Sequence, residues 1–171
     1  MQMVKKIAIG FFFILFALIF FMPKEEIYFK IEQELVKNEI ELNEESRNEG
    51  FFSLSLKNVT VYVKGISLVT VEEINFFTLL FYTKIEIKNL LFDESLKSMT
   101  PTEIEALTIS QNILSPTSLN IAAEGTFGEV EGTIDLVSRN LRLDINDTKE
   151  LDMLKSQLKQ GEKGWYYETS F

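Results

Sequence analysis

The stretch Glu124–Asp135 reads EGTFGEVEGTID, with glycines at 125, 128 and 132 set among strand-type residues. Glycine weakens a strand interior by roughly 0.5–1 kcal/mol, so one found there marks a turn, a bulge or the close approach of another segment. The flanks show what kind of region this is. Before it, SLNIAAEGTF (Ser118–Phe127) puts Leu119, Ile121, Ala123 and Gly125 on one face at period two, continued by Phe127. After it, VEGTIDLV (Val130–Val137) puts Val130, Gly132, Ile134 and Leu136 on one face. Phe127-Gly128-Glu129 turns the chain between them. The stretch reads as a hairpin in which one glycine turns and two make space on the apolar face. A ring such as Phe51, Phe76 or Trp165 is the expected occupant of that space. Ile121, Ala123, Gly125, Val130, Gly132, Ile134 and Leu136 line this face, which is either a closed core or an open groove.

The same period extends outward on both sides. Phe52, Leu54 and Leu56 alternate with Ser53, Ser55 and Lys57; past Asn58 the phase shifts to Val59, Val61 and Val63. Such a shift predicts a bulge, or a bend between strands. Lys64-Gly65 signals a turn, and Ile66–Ile74 returns as a strand. Asn75–Tyr82 (NFFTLLFY) is nearly all apolar and fits a short helical turn or a buried crossing. Thr83–Phe92 alternates again, with Ile85 and Ile87 inward. Asp93–Pro101 is a polar connection, Glu103–Ser110 alternates weakly, and Gln111–Ser118, with Pro116, reads as a turn. After a turn at Ser138-Arg139-Asn140, LRLDI (Leu141–Ile145) points Leu141, Leu143 and Ile145 inward. Asp147-Thr148-Lys149-Glu150 has the form of a capping box opening a helix with Leu151, Leu154 and Leu158, and Gly161 fits its C-cap. Trp165–Phe171 is expected to dock as a terminal strand. About seven strands joined by short turns make an antiparallel meander, because parallel pairs need long crossovers.

The amino end differs in kind. Ile7–Met22 contains no charged or hydrogen-bonding side chain. As a helix it is about 24 Å long, short of a hydrocarbon layer of roughly 30 Å, a gap that Val4 and snorkelling lysines narrow. The run ends in bulky residues, Leu18-Ile19-Phe20-Phe21-Met22-Pro23, which suits an uncleaved signal anchor better than a cleaved signal peptide. Lys5 and Lys6 precede it, and Lys24 is followed at once by Glu25 and Glu26, so the amino terminus is expected in the cytoplasm and the remainder outside it. Lys24–Asn38 then carries Ile27, Ile31 and Leu35 as a stripe, an amphipathic stalk helix. The expected fold is mainly β with flanking helices. An anchor (1–23) contains the transmembrane helix; a stalk follows (24–38). An exported β-rich domain (39–171) holds the meander sheet, a C-terminal helix and the terminal strand.

Composition narrows the chemistry. The net charge of −9 opposes phosphate backbones, so nucleic acid is not an expected partner. The chain has no cysteine and no histidine, which removes disulfides, thiolate chemistry, the commonest general base and the commonest transition-metal ligand. The carboxylate pairs Glu44/Glu45, Glu72/Glu73 and Glu129/Glu131 read as solvated faces. No nucleotide-binding, hydrolase or calcium-loop motif occurs. No catalytic residue, cofactor or metal site is expected, and the chain does not read as an enzyme.

LKNVTVYVKGISLVTVEEI, followed by FFTLLFY and TKIEIKNLLF, resembles the periplasmic repeats of AsmA-like proteins, most closely the type II secretion system protein N branch. Ala123–Leu136 is similar to their A-x-G-x-F-G-x-V-x-G-x-I-D-L segment, and the terminal GWYYE is similar too. The likeness covers most of residues 50–171 and rests on structural motifs. It implies a single-pass bacterial inner-membrane protein with a periplasmic β domain. Its implied role is a scaffold or accessory of envelope transport or type II secretion, with envelope or secretion-system proteins as partners. The alternative is a short apolar groove that contacts or transfers lipid.

Overall fold

The structure, a computed structural model, describes residues 2–20, 24–79, 81–96, 103–146, 157–161 and 164–171. Two helices, α1 (Gln2–Phe20) and α2 (Lys24–Lys37), precede a single sheet. Its strands are β1 (Ile40–Glu49), β2 (Ser53–Val63), β3 (Ile66–Leu79), β4 (Tyr82–Phe92) and β5 (Glu103–Asn112). They continue with β6 (Ser118–Gly125), β7 (Gly128–Asp135), β8 (Asn140–Ile145), β9 (Lys159–Gly161) and β10 (Gly164–Ser170). The ten strands lie in the order β1-β2-β3-β4-β5-β6-β7-β8-β10-β9, and every pair is antiparallel. This is the expected meander with more strands than expected. The two-residue turn Lys64-Gly65 has positive φ at both residues (54° and 78°), matching the twist of the strands it joins.

The hairpin at Glu124–Asp135 forms as its alternation requires, pairing Ile121 with Gly132 and Ala123 with Val130. Gly128 turns the chain at φ 85°. The other two glycines make space for backbone, not for a distant ring. A Cβ on Gly125 would lie 2.5 Å from the Glu103 carbonyl oxygen and 2.9 Å from the Phe127 ring. One on Gly132 would collide with the Arg142 carbonyl oxygen and lie 2.5 Å from a Leu143 methyl. Neighbouring strands therefore approach closer than a side chain allows.

The phase shift at Asn58 falls inside β2, not between strands: the register with β1 and β3 continues unbroken across it, and the register irregularity of the β2–β3 pair comes later, between Val61 and Tyr62. Asn58 has φ 50°, and so does Asn89 in β4. Leu56 pairs with Ile74 on one side of the shift and Val59 with Val71 on the other, so all four stay on the apolar face. β4 repeats the device, with Ile87 opposite Ile74 and Leu90 opposite Val71. Each asparagine also donates from its side-chain amide to a glutamate on the preceding strand, Asn58 to Glu45 and Asn89 to Glu72. Asparagine tolerates the left-handed region that a branched side chain does not.

Several expectations need correction. Asn75–Tyr82 is neither helical nor a crossing: β3 runs on to Leu79, its Phe76 pairing with Leu54 and Ile85, and β4 starts at Tyr82. Leu136 lies beyond β7 in a turn and is exposed, because Asp135 accepts hydrogen bonds from the amides of Val137 and Ser138 and ends the strand. Gly161 is no helix cap; it ends β9 and pairs with Gly164. The capping box and Leu151 and Leu154 lie outside the described residues, while Leu158 is buried. β1 was not expected, since its sequence alternates only at Ile40 and Leu42. No helix among the described residues is long and apolar enough to cross a membrane. Lys5 and Lys6 lie within α1, and its uncharged part, Ile7–Phe20, is about 21 Å long at roughly 1.5 Å per residue. The expected transmembrane helix is thus not found in the described fold.

Two substitutions test this packing. Gly132→Ala should cost roughly 1–3 kcal/mol, since strand backbone cannot yield. Gly161→Ala meets only the edge of the Tyr166 ring at 3.2 Å and should melt closer to wild type. Equal melting temperatures would contradict the close strand approach at Gly132. At the phase shift, Asn58→Gly should be tolerated, while Asn58→Val should lower stability by at least ~1–2 kcal/mol through its left-handed φ. Chemical denaturation of both variants reads the difference.

Candidate functional site

The alternation of the strands builds lines of apolar side chains across the sheet. One line runs Leu54, Phe76, Ile85, Ile109, Ile121, and past Gly132 to Leu143 and Tyr167. The next runs Leu56, Ile74, Ile87, Leu107, Ala123, Val130, Ile145 and Trp165. With strands about 4.8 Å apart, each line is about 34 Å long from β2 to β10. The opposite face carries Thr108, Ser110, Asn120, Glu131, Thr133 and Asp144.

Burial along these lines is uneven. One cluster packs Tyr28 of α2 with Leu54, Leu56, Val59, Val71 and Ile74. A second packs Phe127, Val130, Ile145 and Leu158 near the other side of the sheet. Between them Ile109, Leu107, Ile121 and Ile134 are only half-buried. α2 packs against β1 and β2, and no described helix packs over β5–β7. Among the lining residues expected from sequence, Ile121, Ala123, Gly125, Val130, Gly132 and Ile134 do come together on this face. Leu136 does not. Val130 is buried, and the others are half-buried.

A furrow lined by apolar residues would favour a groove, and a filled core a scaffold. The face is intermediate: filled at both sides and uncovered by described helices in the middle. Two shallow depressions lie instead on the polar face. The larger, of about 370 Å³, is bounded by Thr108, Ser110, Asn120, Glu131, Thr133 and Asp144. Its lining holds two carboxylates, Glu131 and Asp144, with hydroxyls and one amide. Among the described residues no group of three or more acidic side chains is placed to hold a metal.

α2 is fixed to the sheet by a polar contact that the sequence pattern did not reveal. The buried Tyr28 donates its hydroxyl to Glu44 Oε2 at 3.0 Å. Arg47 Nη2 bonds the other carboxylate oxygen. The same guanidinium lies 4.4 Å from the centre of the Tyr28 ring and 4.9 Å from that of Phe29. Burial, then the hydrogen bond to Glu44, pushes the Tyr28 phenol well above its usual range. Burial of Glu44 opposes its charge, but the hydrogen bonds from Arg47 and Tyr28 outweigh it and hold the carboxyl below its ordinary value. The packed side of α2 is therefore set by Tyr28 with half-buried Glu32 and Leu35. Ile31 of the expected stripe is exposed, as is Val36.

No protein-family model, curated protein or solved structure matches the chain. The AsmA-like resemblance rests on the residues quoted for it.

The contact of α2 with the sheet should respond to acid. A carboxyl with a lowered folded pKa contributes stability that is complete above its ordinary 4.5 and is lost as pH falls through that value to the folded one. Glu44→Gln should therefore lower the melting temperature at pH 7 and narrow the drop between pH 5 and pH 3. Parallel melting curves of variant and wild type across that range would show that Glu44 contributes no such linkage.

Proposed function

We propose that this protein is a membrane-anchored β-sheet module whose apolar face shelters part of a lipid acyl chain, within the transport machinery of a bacterial envelope. The observation that carries this reading is the pair of apolar lines running from β2 to β10 with their middle, at Leu107, Ile109, Ile121 and Ile134, half-buried and free of any described helix. A sheet face in water is normally covered by a second layer. An acyl chain supplies such a layer without hydrogen-bonding demands. The AsmA-like resemblance points the same way.

The anchor in this reading is α1. Its described side chains Ile7, Ile9, Phe11, Phe12, Phe13, Ile14 and Phe16 are all exposed, and they point all round the helix. Such a helix needs an apolar surrounding. Lys5 and Lys6 at its start support a reading with the amino end in the cytoplasm and the sheet in the periplasm, as a single-pass inner-membrane protein. Aqueous exposure of so many rings costs far more than the short helix loses by a modest mismatch with bilayer thickness.

A second reading, a scaffold for envelope or secretion proteins, is favoured by β1. It is an edge strand of ten residues, and an edge can accept a strand from a partner.

Native mass spectrometry of the full chain released from detergent separates the two. Bound lipid on the wild type is expected, lost in Ile121→Asn and in Ile134→Asn. Since both positions are half-buried with no described helix over them, each variant should keep its melting temperature within the range of a ~1 kcal/mol change. A wild type carrying no lipid, or variants that lose several kcal/mol as a closed core requires, would refute the groove; a co-purified protein in place of lipid would support the scaffold.

A further inference from the structure

In a meander the odd-numbered turns all lie at one end of the sheet. Here these are the β1–β2, β3–β4, β5–β6 and β7–β8 turns, joined by the end of β10, which pairs Ser170 with Asn140. The turns are stitched into a row. The amide of Thr78 donates to the Phe52 carbonyl, that of Ile113 to Phe81, that of Leu136 to Thr117 and that of Phe171 to Arg139. This row carries an unusual load of exposed apolar side chains: Phe51 and Phe52, Leu79 and Phe81, Ile113 and Leu114, Leu136 and Val137, and Phe171. Leu114 is 90% exposed and Val137 75%. Arg139 is the one charged side chain among the described turn residues between strands at this end. The other end is different. It holds the Glu39–Lys64 ion pair, Asp93, Glu94 and the buried Phe127, and its exposed large apolar side chains among the described residues, Val36, Ile66, Leu91 and Trp165, are fewer and lie singly.

Single exposed leucines need no explanation, but a contiguous apolar row at one end of an acidic protein does. We propose that this rim rests in the interfacial layer of a lipid bilayer and docks the sheet end-on against the membrane. Chain direction identifies the occupant. α2 runs antiparallel to β1, with Tyr28 level with Glu44 and Phe29 beside Arg47, so its amino end points toward the Gly50–Phe52 turn. The chain therefore arrives from the anchor helix α1 on the same side as the rim. Aromatic and aliphatic tips with few charges suit the boundary between headgroups and acyl chains. The acidic remainder is kept off anionic headgroups by its own charge. In this pose the apolar lines of the sheet cross parallel to the bilayer plane, starting close to the rim. The proposal rests on α1 being a membrane anchor, and its test reads the two separately.

The chain has no cysteine, so one introduced thiol can be labelled uniquely. Leu114→Cys at the rim, Glu94→Cys at the far end and Phe12→Cys in α1 would each carry an environment-sensitive nitrobenzoxadiazole fluorophore. Each full chain is reconstituted into phosphatidylethanolamine–phosphatidylglycerol vesicles containing nitroxide-labelled lipid. Val137→Cys repeats the rim measurement in case Leu114→Cys misfolds. Nitroxide lipids should quench the rim label by about half and the Glu94 label by less than about a tenth, as interfacial burial of the rim requires. A quenched Phe12 label beside an unquenched rim label would overturn the rim and leave the anchor standing. Two unquenched labels would overturn both. A rim label that is blue-shifted but not quenched by lipid would mean the row is covered by protein, which also overturns the proposal.

Discussion

Strand register is what the rest of the molecule depends on. Side chains alternate faces along a strand, so a slip of one residue between any two strands would carry an entire apolar set to the polar side. From β2 to β7 the pairs Leu56–Ile74, Ile74–Ile87, Ile87–Leu107, Leu107–Ala123 and Ala123–Val130 hold, and the two register shifts, at Val61/Tyr62 and at Ile104/Ala106, fall outside them. The left-handed residues Asn58 and Asn89 are where that order is under most pressure. Each inserts a change of phase into its strand, and the paired strand changes phase at the same level. Both faces are thereby preserved, and a glutamate on the preceding strand meets each asparagine amide. A phase change in a single strand would break the lines; phase changes matched across neighbours keep them.

Legibility in the sequence followed the strength of the alternation. The hairpin around Gly128 was readable because Leu119, Ile121 and Ala123 before it and Val130 and Ile134 after it keep period two around a glycine that must turn. The strands from Ser53 to Val63 and from Leu141 to Ile145 were readable for the same reason. Asn75–Tyr82 was not, because a run apolar at every position has no period: Phe76 faces the core while Leu79 and Phe81 are exposed at the rim. Leu136 misled in the opposite sense. It continues the period of Val130, Gly132 and Ile134, and only the Asp135 carboxylate, accepting from the two amides that follow Leu136, shows that the strand has ended. β1 hid because its inward positions Glu44 and Arg47 are charged, and their compatibility with burial depends on Tyr28, distant in sequence.

That network also makes β1 an uneven edge. An edge strand with inward-pointing charges is a known protection against uncontrolled pairing. Here the charges are not repelled by the apolar face, because α2 brings a hydroxyl and two rings to meet them. The polar contact thus has two consequences. It closes one side of the apolar lines, and it fixes the direction in which the chain leaves the sheet toward α1. The other side of the lines is closed differently, by Leu158 packing on Phe127, Val130 and Ile145.

The two sides being filled, the middle, over which no described helix packs, and the apolar rim are adjacent features of one surface. A sheet that only needed to be stable would gain by covering Ile109 and Ile121 and by placing charged residues in its turns, as it does at Glu39, Lys64, Asp93 and Glu94. The contrast between its ends cannot come from turn geometry, because both ends contain tight turns with positive φ, at Lys64 and at Arg139. It lies in side-chain choice alone. Turns select glycine, asparagine, aspartate and proline for their backbone, and nothing in that selection calls for phenylalanine, isoleucine, leucine and valine to project from four successive turns. The proposed docking of this rim against a membrane accounts for them, and α2, the helix after α1, begins at that same end.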